Sequence, residues 1–180
     1  MMMHLVPVGM LDPADVIAAL DRHEAEFGAQ TWRQDTQGSA HADTETLYLR
    51  MPAKIDADTV FHSLEVADTP LMQEPAFASA IKQLGLMLDA KIARAMIVRL
   101  KAGGRITPHV DEGGYSEATE RFHWCLATNP ACRMLAGDSL DPETVHMAPG
   151  ELWFFNKHAC HSVRNGDTPR THLIFDIWID

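Results

Sequence analysis

The spacing of apolar positions changes character near the middle of the chain. Val16, Leu20, His23 and Phe27 recur at helical spacing. Asp12 and Pro13, with Asp15 in the first turn, make a helix start, and Gly28 closes the run. Residues 37–41 read as a polar loop and residues 46–51 (TLYLRM) as a strand. Pro75 opens a second helix carrying Phe77, Ile81, Leu84 and Leu88, and the adjacent Leu86 and Met87 predict that it is well buried. From Ala95 onward the pattern is one of short strands: 95–100, 106–111, 121–127, 133–135, 144–147, 152–156, 161–164 and 172–179. Glycine- and proline-bearing turns such as 102–104 and 149–150 separate them. Many short strands at close spacing predict a mainly β barrel or sandwich, with the early helices on its outer face. There is no internal repeat and no low-complexity segment.

Composition narrows the partners. A chain of 180 residues, 46% hydrophobic and 22% charged, can bury a sizeable core as one domain. The formal net charge of −10 and pI of about 5.4 argue against nucleic acid as the main partner, which needs a concentrated cationic surface. Three cysteines are too few and too sparse for a disulfide framework. The N-terminal MMMHLVPVGML has no Lys or Arg before its apolar run and makes a poor signal peptide. No run approaches 18 consecutive apolar residues, so no membrane span is expected. The expected setting is cytoplasmic and reducing.

The chemistry gathers in the second half. In RITPHVDEGG (105–114), His109 and Asp111 stand two residues apart; on an extended strand they share a face and converge on one point, where a metal ion, a proton or nothing could sit. A third group would come from a distant strand, and His123, His146, His158, His161 and His172 are candidates. His161 stands out, because a turn at 165–167 and then Arg170, opening the last strand, follow it; a hairpin of that length would set Arg170 near the His161 strand. Two imidazoles and one carboxylate on one face leave three coordination positions open, the arrangement of non-haem Fe(II) oxygenases. A nearby arginine offers the planar two-pronged donor that a dicarboxylate co-substrate needs.

From Ile97 to the end, the chain resembles the aspartyl/asparaginyl β-hydroxylase-like branch of the Fe(II)/2-oxoglutarate-dependent oxygenases. The resembling pieces are TPHVD (107–111), RFHWCL (121–126), APGELWFFN (148–156) and HSVRNGDTPRTHLIFDIW (161–178). The resemblance implies a double-stranded β-helix, the cupin-like jelly roll. It implies His109, Asp111 and His161 as ligands of Fe(II), and Arg170 as the residue binding the far carboxylate of 2-oxoglutarate. Arg121 and His123 match a pair lying near the metal-chelating end of that co-substrate. Asp111 is a departure from the animal enzymes that name the branch, which lack this carboxylate. The implied reaction uses 2-oxoglutarate and O2 to hydroxylate a C–H bond of an amino acid, free or as a side chain in a peptide or protein.

The residues leave further expectations. Arg121 and His123 are i, i+2 and point into a barrel, while Phe122 and Trp124 point away. Cys125, Cys132 and Cys160 lack structural-zinc spacing and read as small buried apolar residues. Glu112, Gly113, Gly114 and Tyr115 follow the ligand pair as a mobile lid, and residues 117–120 as a loop over the barrel mouth. Arg99, Lys101, Arg50 and Tyr48 are candidate substrate contacts. The expected organisation is a single domain, residues 1–94 forming a helix-rich part packed on jelly-roll strands from 95–180. The competing reading is a cupin-like module that binds a metal or small acid without redox chemistry; a metal-dependent isomerase or hydrolase is a further one. Neither needs a dicarboxylate anchored beside the metal by Arg170 and Arg121.

Overall fold

A computed structural model describes residues 3–138 and 140–179; Met1, Met2, Ser139 and Asp180, which the expected 1–180 domain includes, lie outside the described residues. The strands are β1 (Leu5–Met10), β2 (Thr44–Met51), β3 (Ala67–Asp68), β4 (Ile92–Leu100), β5 (Arg105–His109), β6 (Thr119–Ala127), β7 (Arg133–Ala136), β8 (Glu143–Val145), β9 (Glu151–Phe155), β10 (His161–Arg164) and β11 (Arg170–Trp178). The helices are α1 (Ala14–Arg22), α2 (Trp32–Asp35), α3 (Ala57–His62), α4 (Pro75–Leu88) and α5 (Gly114–Glu117). A seven-stranded sheet runs β1-β9-β6-β11-β4-β2-β3 and a four-stranded sheet β5-β10-β7-β8, with antiparallel pairing throughout. The chain is mainly β, as expected.

Alternation along each strand sorts the larger sheet into two faces. Leu47, Leu49, Ile97, Phe122, Trp124 and Leu173 turn outward and pack with Val16, Leu20, Phe77 and Leu84 of α1 and α4. The early helices therefore do cover the outer face. The opposite face carries Tyr48, Met96, Val98 and Ile174 as one apolar cluster, with the polar side chains of β6 and β11 in the same inward set.

Helix α4 starts at Pro75 and ends at Leu88, where Asp89 takes a left-handed conformation (φ 47°). It is one-sided rather than well buried: Leu86 and Met87 are exposed. Helix α1 ends at Arg22, so His23 and Phe27 lie beyond it, immediately before and after a short 3-10 turn at Glu24–Glu26.

The N-terminal half is less helical than expected. The apolar N-terminal stretch supplies β1, whose pairing with β9 closes one end of the large sheet. Strand β2 pairs along β4, and β4 itself begins at Ile92, so position 94/95 falls inside a strand. The 161–170 segment is not a hairpin. β10 pairs with β5 and β7, whereas β11 pairs with β4 and β6, so the chain crosses from one sheet to the other between His161 and Arg170.

Candidate active site

Cross-strand register brings the first three residues together. His109 ends β5 and His161 begins β10, and the two are directly paired, with ring centroids 4.2 Å apart. Asp111 follows β5 after one residue, its backbone N–H donating to the Lys157 carbonyl at 3.1 Å. One ligand atom from each of His109, Asp111 and His161 lies within 4.8 Å of the others. His158 and His146 are exposed and stay outside this group.

The imidazoles are prepared as lone-pair donors. Nδ1 of His109 hydrogen-bonds the Thr107 carbonyl at 2.9 Å, and Nδ1 of His161 the Ala159 carbonyl at 2.9 Å. Each ring thus keeps its proton on Nδ1 and turns a bare Nε2 to the cluster. His109 Nε2 is buried with no hydrogen-bond partner, an orphan that a metal would satisfy. Burial pushes His161 down to about 4, against the opposing pull of Asp111, so it stays neutral at pH 7. Burial works against charge on Asp111, but the Arg121 guanidinium holds its carboxyl well below the usual range. Two neutral imidazoles and an ionised carboxylate fit a divalent cation.

Arg121 and His123 both face inward, as their spacing predicts. Arg121 donates from Nη1 to Asp111 Oδ2, and from Nε and Nη2 to the two oxygens of Asp176 at 2.8 and 3.1 Å. Burial opposes its charge, yet the two carboxylates raise its pKa above the usual range. Asp176 also accepts from the Tyr115 hydroxyl at 3.1 Å and lies 3.9 Å from Lys157 Nζ. Lys157 is buried, donates to Thr119 Oγ1 at 2.5 Å, and is pushed down to about 8 by burial against the pull of Asp176. Asp176 and Lys157 were not singled out in the sequence; their only signal was an ionisable side chain amid strand-forming apolar residues.

Arg170 is 1% exposed, and its Nε and Nη1 have no hydrogen-bond partner among the described residues. Its Nη2 donates to His172 Nδ1 at 2.7 Å, and His172 Nδ1 lies 3.4 Å from His123 Nδ1. His123 packs on Phe155 (centroids 4.7 Å apart), whose edge meets His161 at 4.7 Å. A file of rings therefore joins Arg170 to the three-residue cluster. Burial, reinforced by Arg170, holds His123 and His172 well below their ordinary pKa, so both are neutral. An unpaired, buried guanidinium costs several kcal/mol, which a bound anion would offset. Arg164, the competing arginine, is exposed.

Other expectations are corrected. The segment after Asp111 is not an open loop: it runs into α5, and Tyr115 is buried, bonded to Asp176 and stacked under Arg94 at 3.5 Å. Gly113 (φ 98°) lies so close to Phe61 that a Cβ would meet its carbonyl oxygen at 2.5 Å. Residues 117–120 are divided between α5 and the start of β6. Arg99 is spent on Glu24, with two bonds of 2.7 Å, and Arg50 on Asp68 and the Ile92 carbonyl. The cysteines are free thiols; Cys125 and Cys132 are buried and Cys160 is half-buried.

The family model described as Aspartyl/Asparaginyl beta-hydroxylase matches residues 23–179. L-proline cis-4-hydroxylase of Rhizobium meliloti (strain 1021) is 30% identical over 118 residues, covering 65% of this chain and 40% of that protein. The chain thus spans well under two thirds of that curated relative. Two solved structures share the fold. One is a prolyl hydroxylase from Trichoplax adhaerens in complex with a hypoxia inducible factor peptide fragment, with TM-score 0.63 and 9% identity over 97% of this chain and 82% of that one. The other is a Pseudomonas putida prolyl-4-hydroxylase, with TM-score 0.57 and 15% identity over 98% and 91%. The expected jelly roll is therefore the architecture present.

Proposed function

This chain belongs to the aspartyl/asparaginyl β-hydroxylase family, and from that premise we propose that it is an Fe(II)/2-oxoglutarate-dependent dioxygenase. It hydroxylates a C–H bond of an amino acid, free or within a peptide. The observation that carries this reading is the pairing of two needs in one interior: a His–Asp–His cluster with an orphaned Nε2, and a buried Arg170 with two donor atoms unsatisfied among the described residues. A metal-binding module or hydrolase has use for the first but none for the second. The L-proline hydroxylase relative supports an amino-acid substrate.

His109, Asp111 and His161 would hold the metal and leave three positions open on one side. When bound, Fe(II) would activate O2, the oxidant, for insertion of one oxygen into an unactivated C–H bond, while 2-oxoglutarate takes the other oxygen and leaves as succinate and CO2. Arg170 binds the far carboxylate of 2-oxoglutarate, and the file of neutral rings ending at His161 sets the direction in which that molecule lies. Arg121 holds Asp111 Oδ2 and so leaves Oδ1 for the metal. His123, neutral and bracketed by His172 and Phe155, would line the co-substrate site without adding a charge. The setting is cytosolic, in keeping with three free thiols.

Anaerobic addition of Fe(II) and then 2-oxoglutarate tests this. Wild type is expected to develop a visible metal-to-ligand charge-transfer band, absent in His109→Ala and weakened in Arg170→Leu. A folded, metal-loaded wild type without the band would return the chain to the binding-module reading.

A further inference from the structure

A second group of unsatisfied polar atoms lies in the interior, away from Arg170. Trp32 Nε1, Thr46 Oγ1 and the Tyr48 hydroxyl are all buried without a hydrogen-bond partner. They are neighbours: Trp32, Arg33 and Thr46 all bear on the Tyr48 phenol, which sits on the inward face of β2. The Arg33 guanidinium donates to the Met96 thioether at 3.2 Å, a weak acceptor, and among the described residues no carboxylate lies within salt-bridge distance of it. An indole N–H and a guanidinium can only donate, and the two hydroxyls can donate as well. The two hydroxyl oxygens are the acceptors within this group, so its donors outnumber its acceptors and the surplus suits an anion.

The group adjoins the metal cluster. Arg33 feels the charges of Asp111 and Arg121. His41 feels the Arg33 charge and meets the His109 ring edge-on, with centroids 4.8 Å apart. Its Nδ1 is also buried and unpartnered. Beside the donors, Tyr48, Met96, Val98 and Ile174 form an apolar wall. Among the described residues neither Arg170 nor Arg33 has a carboxylate partner; the first is joined to the cluster by the file of rings and the second adjoins it through His41, and a single dicarboxylate leaves one of them unpaired.

We propose that the 32–48 segment is the primary-substrate site, and that Arg33, Tyr48 and Thr46 bind the carboxylate of a small free α-amino acid with an apolar side chain. This rests on the oxygenase reading and deepens it. The carboxylate sits at Arg33, the side chain lies against Met96 and Ile174, and His41 spaces the molecule from His109. A residue inside a peptide has no carboxylate to offer, so the site selects free amino acids. The site is partly built by α2, so it exists only when the segment before β2 is folded over the sheet.

The test measures amino-acid-stimulated succinate release for the standard L-amino acids, L-proline among them, and for their primary amides. Wild type is expected to use an apolar amino acid and to show a KM on the order of 100-fold higher for its amide. Arg33→Leu is expected to raise the KM for the acid to that of the amide and erase the discrimination. Arg33→Lys restores part of it, and Tyr48→Phe shows a smaller loss. Equal use of acid and amide by wild type would overturn the proposal, and that comparison needs no variant. So would retained discrimination in Arg33→Leu, or a wild type that forms the 2-oxoglutarate chelate yet responds to no free amino acid. A wild type that forms no chelate fails the oxygenase reading instead.

Discussion

Arg121 grips one oxygen of Asp111 and leaves the other, Oδ1, 3.4 Å from His109 Nε2. The same guanidinium is clamped in two-pronged fashion by Asp176. A carboxylate at a loop position is thereby held as firmly as one on a strand. Partners of this kind commonly change metal affinity 10- to 100-fold when removed.

Arg121→Met should therefore weaken Fe(II) binding by about 10- to 100-fold, although no ligand is touched. It also strands Asp111 and Asp176, so thermal stability should fall by about 3–5 kcal/mol. Metal titration and thermal unfolding read the two effects. Unchanged metal affinity in a folded variant would mean that Asp111 needs no such support.

Arg170→Leu should have effects of opposite sign on activity and stability. Loss of the only guanidinium in the His172–His123 file should raise the requirement for 2-oxoglutarate by about 100-fold or more. The free protein should be as stable as wild type or more so, because an unsatisfied buried cation has been removed. Added 2-oxoglutarate should raise the Tm of metal-loaded wild type but not of the variant. A variant that loses stability as well would show that the bond to His172 outweighs the cost of the buried charge.

Acid should destabilise the metal-free protein below about pH 6.5. Burial holds His123, His161 and His172 neutral in the fold, with His161 at about 4, whereas in the unfolded chain each protonates near 6.5. Unfolding then takes up protons, so stability falls as pH drops from about 6.5 toward 4, by up to about 1.4 kcal/mol per pH unit for each histidine. Unfolding curves between pH 8 and 5 measure this. A Tm constant through that range would contradict neutral burial.

Lys157→Met should be tolerated better than Asp176→Asn. Lys157 makes one short bond to Thr119 and a 3.9 Å approach to Asp176, while Asp176 receives two bonds from Arg121 and one from Tyr115. The asparagine leaves Arg121 facing a neutral partner and should cost about 3 kcal/mol or more, the methionine less than half of that. Denaturant midpoints compare them directly. The reverse order would mean that Lys157 carries the network.

Much of this protein was legible along the chain because its signals are local. Pro75 and the positions after it set both ends of α4, since caps and a 3.6-residue period act within a few turns. The one-residue spacer in Arg121–His123 already placed that pair on one face, since strand geometry has period two, whereas Asp111 reaches His109 from beyond the end of β5. Tertiary structure alone decided which strands pair. Nothing between His161 and Arg170 says that β10 and β11 join different sheets, because partner choice depends on which distant edges remain free. Residues 4–10 carry no hint of β9, about 145 positions away. Arg33, His41 and Tyr48 lie in a segment with no motif, and their place beside His109 follows from β2 pairing with β4. A side chain's face is a property of its own few neighbours; what it faces is settled only when burial of the whole chain selects one packing.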